Sequence, residues 1–262
     1  MSILQKIAAT KKEEIALLKR ERGLVSLRQG ALSQPPPLDF FKAVTRPGKL
    51  SVIGELKKAS PSKGLLRPGF DVEQLAPLYA RAGVQALSVL TDVSYFQGNL
   101  AYLKMAKQTS RLPVLRKDFI IDEHQVYEAR EAQADAILLI VAMLSPDQLH
   151  QLQALAWELG MTVLVEVHDA KELETALGVG IRLLGINNRD LNDFKVDLQT
   201  TARLISKCPP ELPVISESGI FTREDTLFLR ARGVRAVLVG EAFMTAPDLV
   251  AAVRAILPSE EA

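Results

Sequence analysis

From residue 51 onward the chain repeats one pattern eight times: a short apolar run of β type, a turn, then a stretch whose apolar residues recur at helical spacing. The runs fall near 51–56, 86–90, 112–117, 135–141, 161–166, 181–186, 212–216 and 235–239. The helical stretches fall near 71–82, 99–109, 122–133, 146–159, 169–177, 198–206, 222–232 and 246–256. Strand followed by helix, eight times over, predicts an α/β chain closed into a (β/α)8 TIM barrel. The other architecture with this alternation is a doubly wound open sheet, but no Gly-x-Gly-x-x-Gly follows the first run.

Local signals agree with that reading. Asp71, Asp122, Ser145 and Thr222 stand where helix N-caps fall, and Pro146 suits a first helical position. Gly83, Gly160 and Gly233 stand where a left-handed residue ends a helix. Ahead of the repeats, Ile3, Leu4, Ile7, Ala8, Ile15 and Leu18 mark an amphipathic helix over 3–21, with Lys11, Lys12, Glu13 and Glu14 read as its solvated face. Gln34-Pro35-Pro36-Pro37 then breaks the chain, and Asp39 can cap a short helix through Val44. The expectation is one domain over 1–262, a barrel over 49–262 preceded by an N-terminal helical extension over 1–48.

The 262 residues fit one barrel, and no fused second enzyme domain is expected. The 32 basic and 31 acidic residues leave a net charge of +1, so no global field draws the chain to nucleic acid or to a membrane. The single cysteine, Cys208, excludes an internal disulfide and fits a reducing compartment. No apolar stretch reaches membrane-spanning length, and the start Met1-Ser2-Ile3-Leu4-Gln5-Lys6 has no signal-like centre, so a cytoplasmic protein is expected.

The apolar runs end on charged or amide side chains. Ser51-Val52-Ile53-Gly54 runs into Glu55 and Lys57, Pro113-Val114-Leu115 reaches Lys117, Thr162-Val163-Leu164-Val165 meets Glu166, Leu183-Leu184-Gly185-Ile186 leads to Asn187, and Pro213-Val214-Ile215 leads to Glu217. Burying one unpaired charge costs several kcal/mol, so a set of such endings is not incidental packing. Strand side chains alternate, which puts Ile53, Glu55 and Lys57 on one side, as it does Leu164 with Glu166, Gly185 with Asn187, and Ile215 with Glu217. With the apolar members filling the barrel, the polar ones converge at its carboxyl-end mouth, where lysines beside carboxylates can donate and accept protons near neutral pH. Taken one at a time, each could simply mark a strand end; together they share a side and mix both signs of charge.

Two further groups adjoin the mouth. Ser216-Glu217-Ser218-Gly219-Ile220 and Val239-Gly240-Glu241-Ala242 follow the seventh and eighth runs, the recurrent phosphate position of such barrels. Glu241 fits beside an anion if its backbone N–H faces the ligand and its carboxylate turns away. Lys57-Lys58-Ala59-Ser60-Pro61-Ser62-Lys63-Gly64 reads as a flap over the mouth, and Tyr95, Phe96 and Phe119 as an apolar wall. His124, His150 and His168 are too dispersed for a metal centre, and His168 is read as a loop or capping residue despite its nearness to Glu166. No metal or cofactor is expected.

The residues resemble the indole-3-glycerol-phosphate synthase family. The matching motifs are Gly54-Glu55-Leu56-Lys57-Lys58-Ala59-Ser60-Pro61-Ser62-Lys63-Gly64, Leu115-Arg116-Lys117-Asp118-Phe119, Asn187-Asn188-Arg189-Asp190-Leu191 and Ser216-Glu217-Ser218-Gly219-Ile220. Four motifs in order on four strands cover nearly the whole chain. Gly54, where the family usually has alanine, and Phe243, where it tends to leucine, are departures; alternation turns Gly54 away from the barrel interior.

The resemblance implies a carbon–carbon lyase of tryptophan biosynthesis, closing, decarboxylating and dehydrating 1-(2-carboxyphenylamino)-1-deoxyribulose 5-phosphate to indole-3-glycerol phosphate. It implies phosphate binding by Ser60 with the backbones of Gly219, Gly240 and Glu241, an aromatic seat of Phe96, Phe119 and Leu138, and Lys57 with Arg189 for the substrate carboxylate. By the same resemblance Lys117 is the general acid of ring closure, and Glu166 assists dehydration, with Lys57 and Glu55 as rivals or partners. Asn187, Glu217 and Ser218 orient hydroxyls and charges. The expected partner is a small phosphorylated substrate, without nucleic acid or membrane, acting on a monomer or weak homodimer. The competing readings are a sugar-phosphate isomerase such as phosphoribosylanthranilate isomerase, and a non-catalytic metabolite-binding barrel; the second needs the phosphate loops but not Glu55, Lys57, Lys117 and Glu166 together.

Overall fold

Each of the eight apolar runs forms a parallel strand: β1 Ser51–Leu56, β2 Ala86–Leu90, β3 Val114–Lys117, β4 Ala136–Ile140, β5 Thr162–Val167, β6 Leu184–Asn187, β7 Val214–Glu217 and β8 Ala236–Val239. The computed structural model describes residues 3–190 and 194–257. Met1 and Ser2 of the chain start, and Leu191 at the end of the Asn187 motif, lie outside the described residues. Strands pair with their sequence neighbours, and β1 also pairs with β8, Ser51 opposite Ala236 and Ile53 opposite Leu238, so the barrel is closed and has no free edge.

Two apolar layers result from the strand period of two. Ile53, Leu115, Leu138, Leu164, Ile215 and Leu238 point inward and fill the barrel. Val52, Leu87, Val114, Ile137, Val163, Leu184 and Val237 point outward and pack on the surrounding helices. The outer layer is formed by α4 Val72–Ala82, α6 Ala101–Ser110, α7 Glu123–Glu131, α8 Pro146–Glu158, α9 Ala170–Val179, α10 Gln199–Ile205, α11 Arg223–Arg230 and α13 Leu249–Ile256, with short α5 Val93–Phe96 and α12 Glu241–Met244 following β2 and β8. Asp71, Asp122, Ser145 and Thr222 cap helices as their positions predict, the last two in capping boxes. The strand and helix limits differ from the sequence reading by a few residues at most, chiefly where β3, β6 and β7 begin later.

The extension holds three helices, α1 Ile3–Glu21, α2 Leu24–Leu32 and α3 Phe40–Val44. Phe40 and Val44 of α3 are fully buried and stopper the amino-terminal end of the barrel. The helix α2 was not expected, because Gly30 interrupts a short segment of weak periodicity. Its support is tertiary: Leu27 and Ala31 are buried with Tyr127 of α7. At Gly30 a Cβ would collide with the carboxylate of Glu131, which takes Arg22 in a bidentate pair at 2.5 and 2.8 Å.

The two positions noted above as departing from that resemblance, 54 and 243, meet in one cluster. A Cβ on Gly54 would lie 2.5 Å from the Tyr79 ring, on the outer side of β1, as alternation requires. That ring packs edge-on against Phe243 at 5.8 Å between centroids, and its hydroxyl donates to the backbone oxygen of Glu55 at 2.9 Å. The missing methyl at 54 and the larger ring at 243 therefore accommodate one fully buried tyrosine behind a mouth residue.

Candidate active site

One layer above the inward apolar residues, the strand ends present Glu55, Lys117, Glu166, Asn187 and Glu217 to a single cavity, with Lys57 one step beyond β1. Ser60, Phe96, Phe119, Leu138, Arg189, Ser218, Gly219, Gly240 and Glu241 line the same cavity. The structure thus brings these candidates together, because parallel strands deliver equivalent positions to one end of the barrel, whereas Tyr95 of the expected apolar wall does not line the cavity. Two glycines make room for carboxylates: a Cβ on Gly185 would lie 2.4 Å from Glu217 Oε1, and one on Gly240 would lie 2.2 Å from Glu55 Oε1.

Charges alternate around the floor. Lys57 Nζ meets Glu55 Oε1 at 2.7 Å, and Ser88 Oγ donates to the other Glu55 oxygen at 3.4 Å. Lys117 Nζ donates to Glu166 Oε2 at 2.8 Å and lies 3.3 Å from Glu217 Oε2. Burial disfavours the charge on Lys117, but Glu166, Glu217 and Glu55 outweigh it and hold the ammonium above the ordinary lysine range. Glu166 responds oppositely: burial raises it, and Lys117 and His168 more than reverse that, leaving it firmly ionised. Glu217 is different. Neither of its oxygens has an aligned hydrogen bond, and burial, with Glu166 and Glu55 nearby and only Lys117 opposing, pushes its pKa up to about 8. The floor therefore holds a protonated amine, an ionised carboxylate and a carboxyl group that keeps its proton at neutral pH, the equipment of an acid–base catalyst.

The loops at the other end of the cavity are fixed by Asn188, a residue within a recognised motif but without an expected role. Its buried amide donates to Ser216 Oγ, Glu217 O and Ser218 O at 2.9 to 3.0 Å, and its oxygen accepts from Thr201 N and Oγ1. This staple holds Ser218 and Gly219 in left-handed conformations, φ 66° and 78°, an uncommon state for a serine. The Glu241 carboxylate turns to Arg189 at 3.4 Å and Lys63 at 3.6 Å. The flap between Lys57 and Leu66 contains a two-residue hairpin, Ala59–Ser60 against Gly64–Leu65, rather than an irregular loop.

The charges of α1 are not all solvated, which corrects the sequence reading. Lys11 is 2 % exposed, and its ammonium lies 2.8 Å from Asp92, 2.9 Å from Asp118 and 2.8 Å from Glu14. Asp92 caps α5, which carries Phe96, and Asp118 stands between Lys117 and Phe119. Phe96 and Phe119 lie 6.1 Å apart between centroids. Thr10 and Tyr95 share a hydrogen bond of 2.9 Å between the same helix and α5. Docked in this way, α1 lays Ile3, Leu4 and Ile7 over the cavity as its roof. A signal was present: Lys11 falls midway between Ile7 and Ile15 at i+4 spacing, on the buried stripe itself.

His168 keeps its expected capping role and adds a second contact. It shares Glu172 with the start of α9, as a capping residue would, but its Nε2 also lies 3.2 Å from Glu166 Oε1. Its spacing of two from Glu166 places it on the same side of the strand, and that was the available signal. Among the described residues, no group of three or more His, Cys, Asp or Glu side chains has the arrangement of a metal site.

The family model described as indole-3-glycerol phosphate synthase matches residues 4–256. The indole-3-glycerol phosphate synthase of Desulforamulus reducens is 49% identical over 256 residues, 97% of each chain. That of Laribacter hongkongensis is 51% identical over 250 residues, 94% of this chain and 95% of its own. Among solved structures, the N-acetylmannosamine-6-phosphate 2-epimerase of Clostridium perfringens superposes with a TM-score of 0.62 at 16% identity, over 80% of this chain and 93% of its own. The thiamine phosphate pyrophosphorylase of Pyrococcus furiosus gives 0.59 at 18%, over 79% and 93%. These two likenesses concern the fold alone.

Proposed function

The chain belongs to the indole-3-glycerol phosphate synthase family, and from that premise we propose how its residues divide the work. The reaction is that of a decarboxylating lyase of tryptophan biosynthesis. It converts 1-(2-carboxyphenylamino)-1-deoxyribulose 5-phosphate to indole-3-glycerol phosphate, carbon dioxide and water. The phosphate sits against the backbones of Gly219, Gly240 and Glu241 with Ser60, and the aromatic ring against Phe96, Phe119 and Leu138 under α1. Lys57 and Arg189 face the substrate carboxylate.

Lys117 gives its proton to the ribulose carbonyl oxygen while the aryl carbon bearing the carboxylate bonds to the carbonyl carbon. The carbon–carboxylate bond then breaks, and its electrons restore the aromatic ring as carbon dioxide leaves. The new hydroxyl departs as water with one proton from an acid, and a base removes a proton from the carbon next to nitrogen to complete the indole. Glu166, ionised, is that base. Glu217, with its raised pKa, and Lys57, paired to Glu55, are the proton sources within reach of the mouth. Asn187 and Ser218 orient the sugar hydroxyls. Overall one proton is consumed per turnover, which returns Lys117 to its charged form.

The observation that carries this reading is the Lys117–Glu166 pair, 2.8 Å apart between the aromatic seat and the glycine loops. A fluorescence assay for the indole product tests it. Lys117→Ala should lower kcat by about 10²- to 10⁴-fold, the span of a lost general acid, while the far-UV circular dichroism stays that of the parent. Near-parental turnover would remove Lys117 from the role. We assign residues 1–262 to one catalytic domain whose site one chain supplies in full, consistent with a monomer. The lone Cys208 supports a reducing compartment, the cytoplasm.

A further inference from the structure

The His168 ring, just past β5, is gripped from both sides. Nδ1 lies 3.0 Å from Glu172 Oε2, and Nε2 lies 3.2 Å from Glu166 Oε1, an oblique charge contact rather than an aligned hydrogen bond. The Glu172 oxygen also accepts the His168 backbone N–H at 2.8 Å, and Glu172 is fixed in turn by Asp169, which accepts its N–H at 2.8 Å. A neutral imidazole has one N–H and one lone pair, so between two carboxylates it would turn a lone pair toward an anion. Only the imidazolium presents N–H to both. The side chain lines a neighbouring cleft rather than the substrate cavity.

We infer that His168 is a positioning residue, an imidazolium that holds the outer oxygen of Glu166 and so keeps this carboxylate ionised and aimed at Lys117 until it takes the substrate proton. The inference rests on the synthase reading of the site. Its physical content is a matter of counting charges. When Lys117 releases its proton to the substrate, a buried Glu166 with no other cation would recapture a proton and cease to be a base. With His168 on the second oxygen, its charge persists through that step.

Other charged groups facing this pair come from several elements. Lys117 faces Glu166, with Glu217 and Glu55 around Lys117 in turn, and the cleft beside His168 is also lined by Asp169, Arg189, Asp190, Lys195, Asp197 and Arg203. The two carboxylates in direct contact dominate: burial alone would lower the imidazole, yet Glu166 and Glu172 lift it to about 10.

Two measurements decide the matter. The protein has three histidines, so nitrogen-15 NMR of the imidazoles is resolvable, with His168→Gln identifying the His168 signals. If that variant does not fold, His124→Gln and His150→Gln identify them by difference. Both ring nitrogens should keep imidazolium shifts up to about pH 9. In kinetics, His168→Gln retains a donor without charge, and the acidic limb of its kcat profile should move up by about 1–3 pH units, the range of a lost neighbouring charge. KM should stay within about twofold, and kcat should recover above the displaced limb. A neutral His168 at neutral pH overturns the inference, as does an unmoved profile or an equal loss of kcat at every pH. Absence of parental turnover would instead sink the synthase reading, and the NMR shifts would still decide the charge on His168.

Discussion

Lys11 is buried and Lys117 partly buried, and both have carboxylate oxygens 2.8 Å from the ammonium, yet the surroundings of the two pairs differ in one respect. Around Lys11 both aspartates are held by donors besides the ammonium, although Asp92 Oδ2 has only the charge contact. Asp118 also accepts from Arg116, Thr91 and the Phe119 N–H, and Asp92 accepts the Tyr95 and Phe96 N–H groups. Burial would raise Asp118, but Arg116 and Lys11 bring it down to about 2. Around Lys117 there is a surplus: Glu217 has no cation of its own and no aligned hydrogen bond. A buried carboxylate anchored by several donors fixes geometry, whereas one with none holds a proton ready to move.

The sharpest way to break this contrast is to remove the ammonium of the anchored cluster. Lys11→Met strands Asp92 and Asp118 in the interior, and breaking a buried pair from one side costs about 3–5 kcal/mol. Urea unfolding should show that loss, together with a rise in KM as the roof over Phe96 and Phe119 loosens. A loss below about 1 kcal/mol, the median for exposed pairs, would class Lys11 as a surface charge after all.

Glu217→Gln should have the opposite sign on stability. In the fold the carboxyl binds its proton up to about pH 8, while in the unfolded chain it releases it near 4.5. Between those values the native state holds more protons, so parental stability falls as pH rises across that interval and stays lowered above it. The variant has no such slope. Thermal unfolding should find it roughly 1–4 kcal/mol more stable than the parent at alkaline pH, equal to it at acid pH, and much slower in turnover. A variant equally or less stable at alkaline pH would return Glu217 to the ionised state.

The smallest effect calibrates both. Tyr79→Phe removes a neutral buried hydrogen bond to the Glu55 oxygen behind β1, worth about 1 kcal/mol, and leaves each charged cluster intact. Its cost should appear in unfolding without a shift in the pH profile of kcat. A shifted profile would mean that the backbone at Glu55 tunes the floor.

Much of this molecule is legible one strand at a time. Strand side chains alternate with a period of two, and parallel strands share one direction, so Ile53 with Glu55, Leu115 with Lys117, Leu164 with Glu166 and Ile215 with Glu217 assign the barrel filling and the mouth from local order alone. The caps at Asp71, Ser145 and Thr222 are equally local, since each bonds a backbone N–H two or three residues away. The helix α2, with Gly30 inside it, could not be found in that way, because its stability comes from Tyr127 and its glycine answers to Glu131.

Burial and protonation belong to the tertiary structure for the same reason. Residues 11, 92 and 118 are far apart in sequence, and the helical pattern that places Lys11 between Ile7 and Ile15 does not say that two aspartates wait there. Glu166 and Glu217 end their strands alike, and what makes one an anion and the other an acid is the position of Lys117 and His168 around them. Local order decides which side of a strand a group takes; its charge is decided by a sum over neighbours within a few ångströms, and only folding assembles that sum.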